Sequence, residues 1–420
     1  MNVVFVAPYA MKATLHFIRS TAKLPDVRLG VISQEPGDKI VQGLEGLPIS
    51  GFERVDNAMD PEQLNQAVRA IARGMGGRVD RLVGVLEQLQ EPLAEVRESL
   101  DIRGMDVQEA RNFRDKAQMK DILRANSLPC ALHALVKSEA QALEFAERCL
   151  PLVAKPPAGA GARNTQRIET REELEGYLRA FPPAEDDPLL LEEFIQGKEH
   201  SFDSVTVGGQ PIFHSISRYT TTPLEVMEDT RLQWCVVLPR DIEGDEFADI
   251  RSAGARALKA LGMFNGLTHM EWFRRADGSI AISEVAARPP GAQFTTLLSY
   301  AHDYDFYDAW ARLMVFENFA PPKRTWSVGA LFLRAQSQEV GDEGSESDGT
   351  LIPKVRAIHG IEVARKELGS LVVEAKIPEP GTPHADTYEG EGYVILRDKD
   401  TNTVEAGLRR LNELVRIESA

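Results

Sequence analysis

Short apolar runs alternate with longer amphipathic stretches along the first quarter of the chain. Apolar runs at 3–7, 27–33 and 79–86 predict β-strands, and helical spacing of apolar residues at 11–24 and 61–74 predicts the helices between them. Strands that alternate with helices in this way favour βαβ units with a parallel sheet. The segment lacks the Gly-x-Gly-x-x-Gly motif, so we predict no dinucleotide site in it.

From Arg111 onward the pattern changes to shorter helices and hairpins. Asp115 is expected to cap a helix, and Ser138 and Thr170, each followed three residues later by Gln or Glu, predict capping boxes. The acidic run 341–349 is interpreted as a solvated linker. The further predicted elements are strands at 150–155 and 189–195, a hairpin at 202–207 and 211–218, a helix at 245–261, a hairpin at 266–274 and 279–286, a strand at 392–397 and a helix at 403–416.

Composition narrows the class of protein. Of the 420 residues 43% are hydrophobic and 27% are charged, and the formal net charge is −16. These values are typical of a soluble globular protein, expected in the cytoplasm, and argue against broad binding to nucleic acid or to an anionic membrane. A local cluster of Lys and Arg could still bind an anionic substrate. The three cysteines form no metal or disulfide motif, and the short apolar N-terminal run predicts a strand rather than a signal peptide.

A lysine and a run of small residues stand at the end of one predicted strand. Lys155 closes the strand, and 156–162 follows with the sequence Pro-Pro-Ala-Gly-Ala-Gly-Ala. Backbone N–H groups of such a loop can approach phosphate oxygens while the lysine supplies a positive charge. Lys116 lies in the first turn of its helix, where acidic side chains are favoured unless an anion approaches. The structural alternatives are a lysine before an ordinary turn and, for Lys116, a stretch crowded with cations such as Lys120.

The predicted strand at 189–195 contains two adjacent acidic residues near its end. Glu192 and Glu193 come near its end, and Glu199 follows after a glycine. A hinge here would expose backbone groups that can hydrogen-bond an adenine edge, and a later carboxylate could accept from ribose hydroxyls. The alternative is an ordinary strand with a polar end.

A predicted hairpin carries the most informative pair of residues. Asp277-Gly278 is a strong turn signal, and counting outward from it pairs Phe273 with Ile282 and Glu271 with Glu284. Two carboxylates that face each other repel, so either one pKa rises or a cation lies between them. The alternative is a slipped register, which would send one glutamate to solvent.

The chemistry of this pair favours a divalent cation. Mg²⁺ typically takes one or two carboxylates together with substrate phosphates, which suits Glu271 and Glu284. Arg288 lies four residues after Glu284 and is expected on the same face.

As a set, these features resemble the ATP-grasp superfamily, and within it the carboxylate–amine ligases: L-amino acid ligases, carnosine-synthase-like enzymes and the formate-dependent phosphoribosylglycinamide formyltransferase group. The resemblance covers roughly residues 80–315. It rests on the order and spacing of Lys116, Lys155, Glu192, Glu193, Phe194, Ile195, Glu199, Glu271, Glu284 and Arg288.

The resemblance implies ATP and Mg²⁺ as cofactors, with Mn²⁺ as a substitute for Mg²⁺. The implied nucleotide contacts are Lys116 and Lys155 to the phosphates, Gly159 and Gly161 in a loop over them, the backbone of Glu193 and Ile195 to adenine with Glu192 close by, and Glu199 to ribose. Glu271 and Glu284 would bind the metal, and Arg288 would steady an acyl phosphate.

One position departs from the family pattern. Many members have Asn two residues after the second metal glutamate, where this chain has Ala286, so the number of metal ions is left at one or two. The pairing count places His269 opposite Ala286. We leave open whether His269 lines this gap in the substrate cleft or is an ordinary core histidine.

The resemblance implies three domains: an N-terminal Rossmann-like pre-ATP-grasp α/β domain at 1–110, an α+β ATP-grasp module at 111–318 with a hinge near 192–199, and a small mixed domain at 319–420. The implied reaction phosphorylates a small-molecule carboxylate and passes it to a small-molecule amine, with release of ADP and phosphate. No nucleic-acid or membrane partner is expected, and a homodimer is left open.

Two alternatives stay open. One is a transformylase- or carboxylase-like enzyme acting on a nucleotide-precursor amine, which would need a basic pocket, whereas Arg78, Arg81, Arg103 and Arg356 are dispersed in the sequence. The other is a catalytically silent nucleotide-binding protein, which the retained lysines, carboxylates and arginine disfavour. Carboxylation of biotin is disfavoured because the chain has no carrier segment with Met-Lys-Met.

Overall fold

The computed structural model describes residues 1–157, 165–229, 231–336, 353–385 and 387–419. Their elements form one parallel and three largely antiparallel sheets flanked by helices, which confirms the predicted mixed α/β class. None of the helices in these ranges is long and apolar enough to cross a membrane.

The N-terminal unit is a four-stranded parallel sheet in the order β3-β2-β1-β4. Its strands are β1 Asn2–Val6, β2 Arg28–Ser33, β3 Gly51–Arg54 and β4 Arg81–Val83, and its helices are α1 Lys12–Ala22, α2 Gly37–Gly43, α3 Pro61–Gly74 and α4 Gln90–Ser99. A 3-10 turn at Glu87–Leu89 precedes α4. Helices cover the sheet, so β1 is almost continuously apolar and buried, as parallel strands usually are.

Two helices lead to a small lobe. They are α5 Val107–Arg114 and α6 Lys116–Ala125, and Asp115 caps α6 as predicted, accepting from two N–H groups of its first turn. The lobe has strands β5 His133–Val136, β6 Leu152–Lys155, β7 Gln166–Ile168 and β8 Leu189–Glu193, in the order β5-β8-β6-β7, with helices α7 Glu139–Ala146 and α8 Arg171–Ala180. Ser138 and Thr170 cap these helices, although the return bonds of the predicted capping boxes go to the residue before each cap.

An eight-stranded sheet forms the rest of the frame, in the order β13-β12-β9-β10-β11-β14-β18-β17. Its strands are β9 Gly197–Val207, β10 Gln210–Tyr219, β11 Cys235–Leu238, β12 Gly266–Arg275, β13 Ile280–Ala286, β14 Ser327–Leu333, β17 Val372–Lys376 and β18 Gly392–Asp398. The other strands, β15 Ala335–Gln336, β16 Val355–His359 and β19 Arg416–Ser419, form a three-stranded sheet.

The remaining helices pack around these sheets. They are α9 Pro223–Glu228, α10 Ala248–Leu261, α11 Phe294–His302, α12 Phe306–Phe316, α13 Ile361–Leu368 and α14 Thr401–Leu414, with a 3-10 turn at Asp245–Phe247 before α10. Helix α12 joins the N-terminal unit to the large sheet, because the Trp310 ring contacts Phe5 and Phe17 at centroid distances of 5.9 and 4.9 Å. The predicted division into three domains stays a prediction; the large sheet itself continues across residue 319, since β11 pairs with β14.

Candidate active site

The hairpin of β12 and β13 places two carboxylates opposite each other. Glu271 pairs with Glu284, and His269 pairs with Ala286, as counted from the sequence. The register argument for this pair is therefore confirmed.

The path of the hairpin between its turn and this pair differs from the prediction. Phe273 pairs with Ala281, and Ile282 pairs with Trp272, so the predicted Phe273–Ile282 pair is wrong. A β-bulge adds one residue to β13 beyond Ile282 and returns the two carboxylates to the same row. The Ile282 N–H donates to the carbonyl of Pro129 at 2.9 Å, so a distant segment contacts the strand where it bulges.

A lysine of the protein neutralises one of these carboxylates. Lys116, the first residue of α6, forms an ion pair with Glu284, and the two side chains are only 6% and 19% exposed. Burial by itself would raise the pKa of Glu284, but Lys116 and Lys155 outweigh burial and lower it to about 2. At Glu284, therefore, the pKa does not rise, and the cation beside the carboxylate is a lysine ammonium.

Glu192 binds two lysines at the end of β8. Its carboxylate oxygens lie 2.7 Å from Lys120 Nζ and 2.9 Å from Lys155 Nζ. Burial by itself would raise the pKa of Glu192, but the two ammonium groups lower it to about 2. Lys155 also lies in the field of Glu284 and Glu271, so Glu192 holds its ammonium group at the edge of this carboxylate pair.

Lys120 is a member of this cluster that the sequence pattern did not single out. Its side chain is fully buried, and its ammonium group donates to the Ser283 carbonyl at 2.7 Å as well as to Glu192. Burial lowers the pKa of Lys120, although Glu192 opposes that shift. Helical spacing could have revealed it, because α6 buries one face made of Lys116, Ala117, Met119, Lys120 and Leu123.

Arg288 approaches the cluster from the loop after β13. Its guanidinium donates two hydrogen bonds to Glu87 Oε2, at 2.8 and 3.1 Å, and Arg114 donates to Glu87 Oε1 at 2.8 Å. Arg288 also lies in the field of Glu284. Glu87 is buried and was not singled out from sequence; its place beyond the carboxyl end of parallel strand β4 is the signal that could have found it, since ligands bind at that edge of open α/β sheets.

Glu199 is the carboxyl group of the cluster that favours protonation. It lies on β9, and burial raises the pKa of Glu199 well above its usual range, with Glu271 and Glu225 adding to the shift. Like-charge repulsion from Glu271 thus adds to the effect of burial at Glu199.

His269 is both buried and close to the cleft. Its Nδ1 lies 2.6 Å from Asp203 Oδ1, and its Nε2 lies 3.6 Å from Glu271 Oε1. Burial by itself would lower the pKa of His269, but Asp203 and Glu271 raise it to about 9. The histidine is thus a charged group behind Glu271, opposite the position where Ala286 supplies no ligand.

The remaining nucleotide contacts implied by the resemblance lie at the edge of this cluster or outside the described residues. The Glu193 side chain turns away and forms an ion pair with Arg275. Ile195, which follows β8 in the chain, is buried in a small apolar group with Ala131 and Ala281. Gly159 and Gly161 lie outside the described residues.

The donor set fits Mg²⁺ only when another molecule contributes ligands. In the described ranges no group of three or more His, Cys, Asp or Glu side chains could hold a metal ion. Glu271 and Glu284 are 31% and 19% exposed and supply two carboxylates. Since Mg²⁺ commonly takes one or two carboxylates with phosphates and waters, nucleotide phosphates would complete the shell.

Comparison with known proteins gives a family match for part of the chain. Residues 149–297 match the model of the ATP-grasp domain. The L-arginine-specific L-amino acid ligase of Bacillus subtilis is 23% identical over 249 residues, which cover 58% of this chain and 59% of that protein. The chain therefore spans about three fifths of the length of this curated relative.

Solved structures extend the likeness to the whole fold. The L-amino acid ligase from Bacillus licheniformis superposes with a TM-score of 0.74 at 18% identity, over 99% of this chain and 98% of that one. The N5-carboxyaminoimidazole ribonucleotide synthetase from Thermotoga maritima gives a TM-score of 0.68 at 17% identity, over 100% and 99%. Residues 149–297 thus match the ATP-grasp domain, and this match agrees with the resemblance drawn from the sequence.

Proposed function

We propose that this protein is an ATP-dependent ligase that converts a small-molecule carboxylate to an acyl phosphate and couples it to an amine. The likeness to L-amino acid ligases supports this reaction class. The observation that carries the proposal is the convergence of Lys116, Lys155 and Arg288 on the paired carboxylates Glu271 and Glu284.

The two lysines would bind ATP phosphates. Lys155 is held by Glu192 at 2.9 Å and so needs little rearrangement to meet an anion. Lys116 is paired with Glu284, and a phosphate oxygen would replace that carboxylate as its partner. Glu284 would then be free to bind Mg²⁺ together with Glu271, so nucleotide and metal should bind cooperatively.

The reaction is an in-line phosphoryl transfer followed by acyl transfer. A carboxylate oxygen of the substrate attacks the γ-phosphorus, and the bond to the β–γ bridging oxygen breaks to release ADP. The amine nitrogen then attacks the acyl carbon, phosphate leaves, and the nitrogen loses a proton. Mg²⁺ would neutralise charge on the phosphates, Arg288 would bind oxygens of the acyl phosphate, and the lysines would stabilise the transferred group.

The nucleotide product tests the proposal. Amino acids and other small carboxylates are screened with ATP, Mg²⁺ and amines, and the phosphorus products are followed by ³¹P NMR. ADP and phosphate are expected, with amide product in equal amount. AMP and pyrophosphate would reject the acyl-phosphate route, bicarbonate as the sole effective acid would favour a carboxylase, and no ATP cleavage by any pair would favour a silent nucleotide-binding protein.

Arg288 offers a second test of the same chemistry. The variant Arg288→Lys keeps the positive charge but loses the planar guanidinium, which can donate to two oxygens of an acyl phosphate at once. Turnover should therefore fall about a hundredfold, while ATP affinity should stay within about twofold. Arg111→Lys on α5 is a matched control, because Arg111 forms only exposed ion pairs with Glu91 and Glu95. Unchanged turnover in the Arg288 variant would remove this residue from the mechanism.

A further inference from the structure

A cavity lined by both charged and apolar side chains runs along the open edge of β4. Among the residues that the structure describes, this strand pairs only with β1, and it also contacts α12. Leu82, Leu267, Trp310, Leu313 and Met314 form apolar walls. Arg288 and Gly84 lie at the inner end, which places the cavity next to the candidate active site.

The lining of the cavity carries several positive charges, in contrast to the chain as a whole. Arg81, Arg97 and Arg103 all line it. One carboxylate, Glu317 at the end of α12, lies 3.2 Å from Arg81 and 2.6 Å from Arg103. Glu109 is the other acid, and burial raises its pKa to about 7, so it offsets only part of the remaining charge at neutral pH.

Two further side chains of the wall carry polar groups but are largely buried. Trp310 is 2% exposed and Gln90 is 7% exposed, and both line the cavity. Gln90 donates to the Leu86 carbonyl at 3.0 Å. Both groups are uncharged, so the positive charge of the lining comes from its arginines.

We propose that this cavity binds a small organic anion, with its acid group at Arg81 and Arg103 and its apolar body against Trp310 and α12. Arg103 is 63% exposed and stands at the mouth, whereas the Arg81 side chain is only 14% exposed and lies deeper. The anion would share the two guanidinium groups with Glu317. Arg78 and Arg356, also noted in the sequence, belong to other ion pairs, with Asp80 and Glu418.

The anion could be the far end of a substrate that reaches Arg288 or a separate molecule that acts on Arg288 through the shared wall. Binding itself does not depend on the proposed ligase activity, so it can be tested without turnover.

Calorimetry on the full chain with glutarate and with inorganic phosphate tests the site. Arg103→Ala should weaken binding about tenfold or more, since a charge-assisted hydrogen bond is lost, and Trp310→Phe should weaken it less while keeping the ring. Arg78→Ala is the control, because Arg78 is 81% exposed and lies outside the cavity. Absence of binding to the wild type, or equal binding to the wild type and Arg103→Ala, would overturn the proposal.

A turnover assay in the presence of glutarate distinguishes an anion that is part of a substrate from an anion that is a separate ligand. Competition between glutarate and the acid or amine substrate indicates the far end of a substrate. A change in turnover rate without competition indicates a separate ligand. If no substrate is turned over but Arg103-dependent binding persists, the ligase proposal fails and the site stands.

Discussion

Two buried glutamates, at the end of β8 and on β13, have the same charge state for different structural reasons. Glu192 binds two lysines, and its side chain is 5% exposed. Glu284 forms its ion pair with one lysine, is 19% exposed and faces a second carboxylate, Glu271. The pKa of each is lowered to about 2, because neighbouring ammonium groups outweigh burial.

The difference indicates different functions. Glu192 has both oxygens paired within the protein, so it is suited to fixing lysines rather than to binding a ligand. Glu284 has an exchangeable partner and an acidic neighbour, so a divalent cation can replace the lysine there. The comparison predicts that changes around Glu192 mainly affect stability and that changes around Glu284 mainly affect metal binding.

The largest effect should come from removing the buried lysine that supports Glu192. Lys120→Met should lower the free energy of unfolding by about 3–5 kcal/mol, because it leaves a buried carboxylate with one partner fewer. Lys137→Met is the control, since Lys137 forms an exposed ion pair with Glu185 and should contribute at most about 1 kcal/mol. Urea unfolding at pH 7 measures both. A loss below about 1 kcal/mol for Lys120→Met would show that Glu192 does not depend on this lysine.

A second effect concerns pH and the histidine behind Glu271. The pKa of His269 is raised to about 9, so its stabilising effect should be complete below about pH 6.5 and lost as the pH rises toward 9. A shift of this size corresponds to about 3 kcal/mol. Urea unfolding at pH 6 and pH 9 should show this loss in the wild type and much less of it in His269→Gln. An equal pH dependence in the two proteins would contradict a charged His269 in the fold.

The smallest expected effect separates the two carboxylates of the hairpin. Glu284→Gln should lower the stability of the nucleotide-free protein by about 1–2 kcal/mol, because Lys116 loses its charged partner, whereas Glu271→Gln should change it by less than about 0.5 kcal/mol. ATP with Mg²⁺ should raise the melting temperature of the wild type more than ATP with EDTA does. Both variants should lose this metal-dependent difference.

Glu172→Gln, at an exposed position on α8, is the control for these variants. If Mg²⁺ stabilised Glu271→Gln and Glu284→Gln as strongly as the wild type, the metal assignment of the pair would be wrong.

The sequence predicted the parts of this site that depend on local pattern. Asp277-Gly278 set the hairpin and brought Glu271 opposite Glu284. The predicted pairing of residues near the turn was wrong, because β13 has a bulge beyond Ile282. At this bulge the Ile282 N–H donates to the carbonyl of Pro129, which is more than 150 residues away in sequence. Local pattern carries no information about such a contact.

The charge states of the site residues also depend on partners that are distant in sequence. From the sequence, repulsion was expected between Glu271 and Glu284, but Lys116 comes from α6 and removes it. The raised pKa appears at Glu199 on β9, which only the sheet order brings beside Glu271. Lys120 and Glu87 were missed for a similar reason, since their partners come from other elements.

The continuity of the large sheet has a consequence for working with fragments of this protein. Strands β14, β17 and β18 come from beyond residue 318, yet β14 lies directly against β11. A fragment that stopped at 318 would expose the four buried apolar residues of Cys235–Leu238 along an unpaired edge, which favours aggregation. Expressed together, residues 1–318 and 319–420 should instead reassemble by strand pairing, so this point in the gene suits a split reporter better than a truncation.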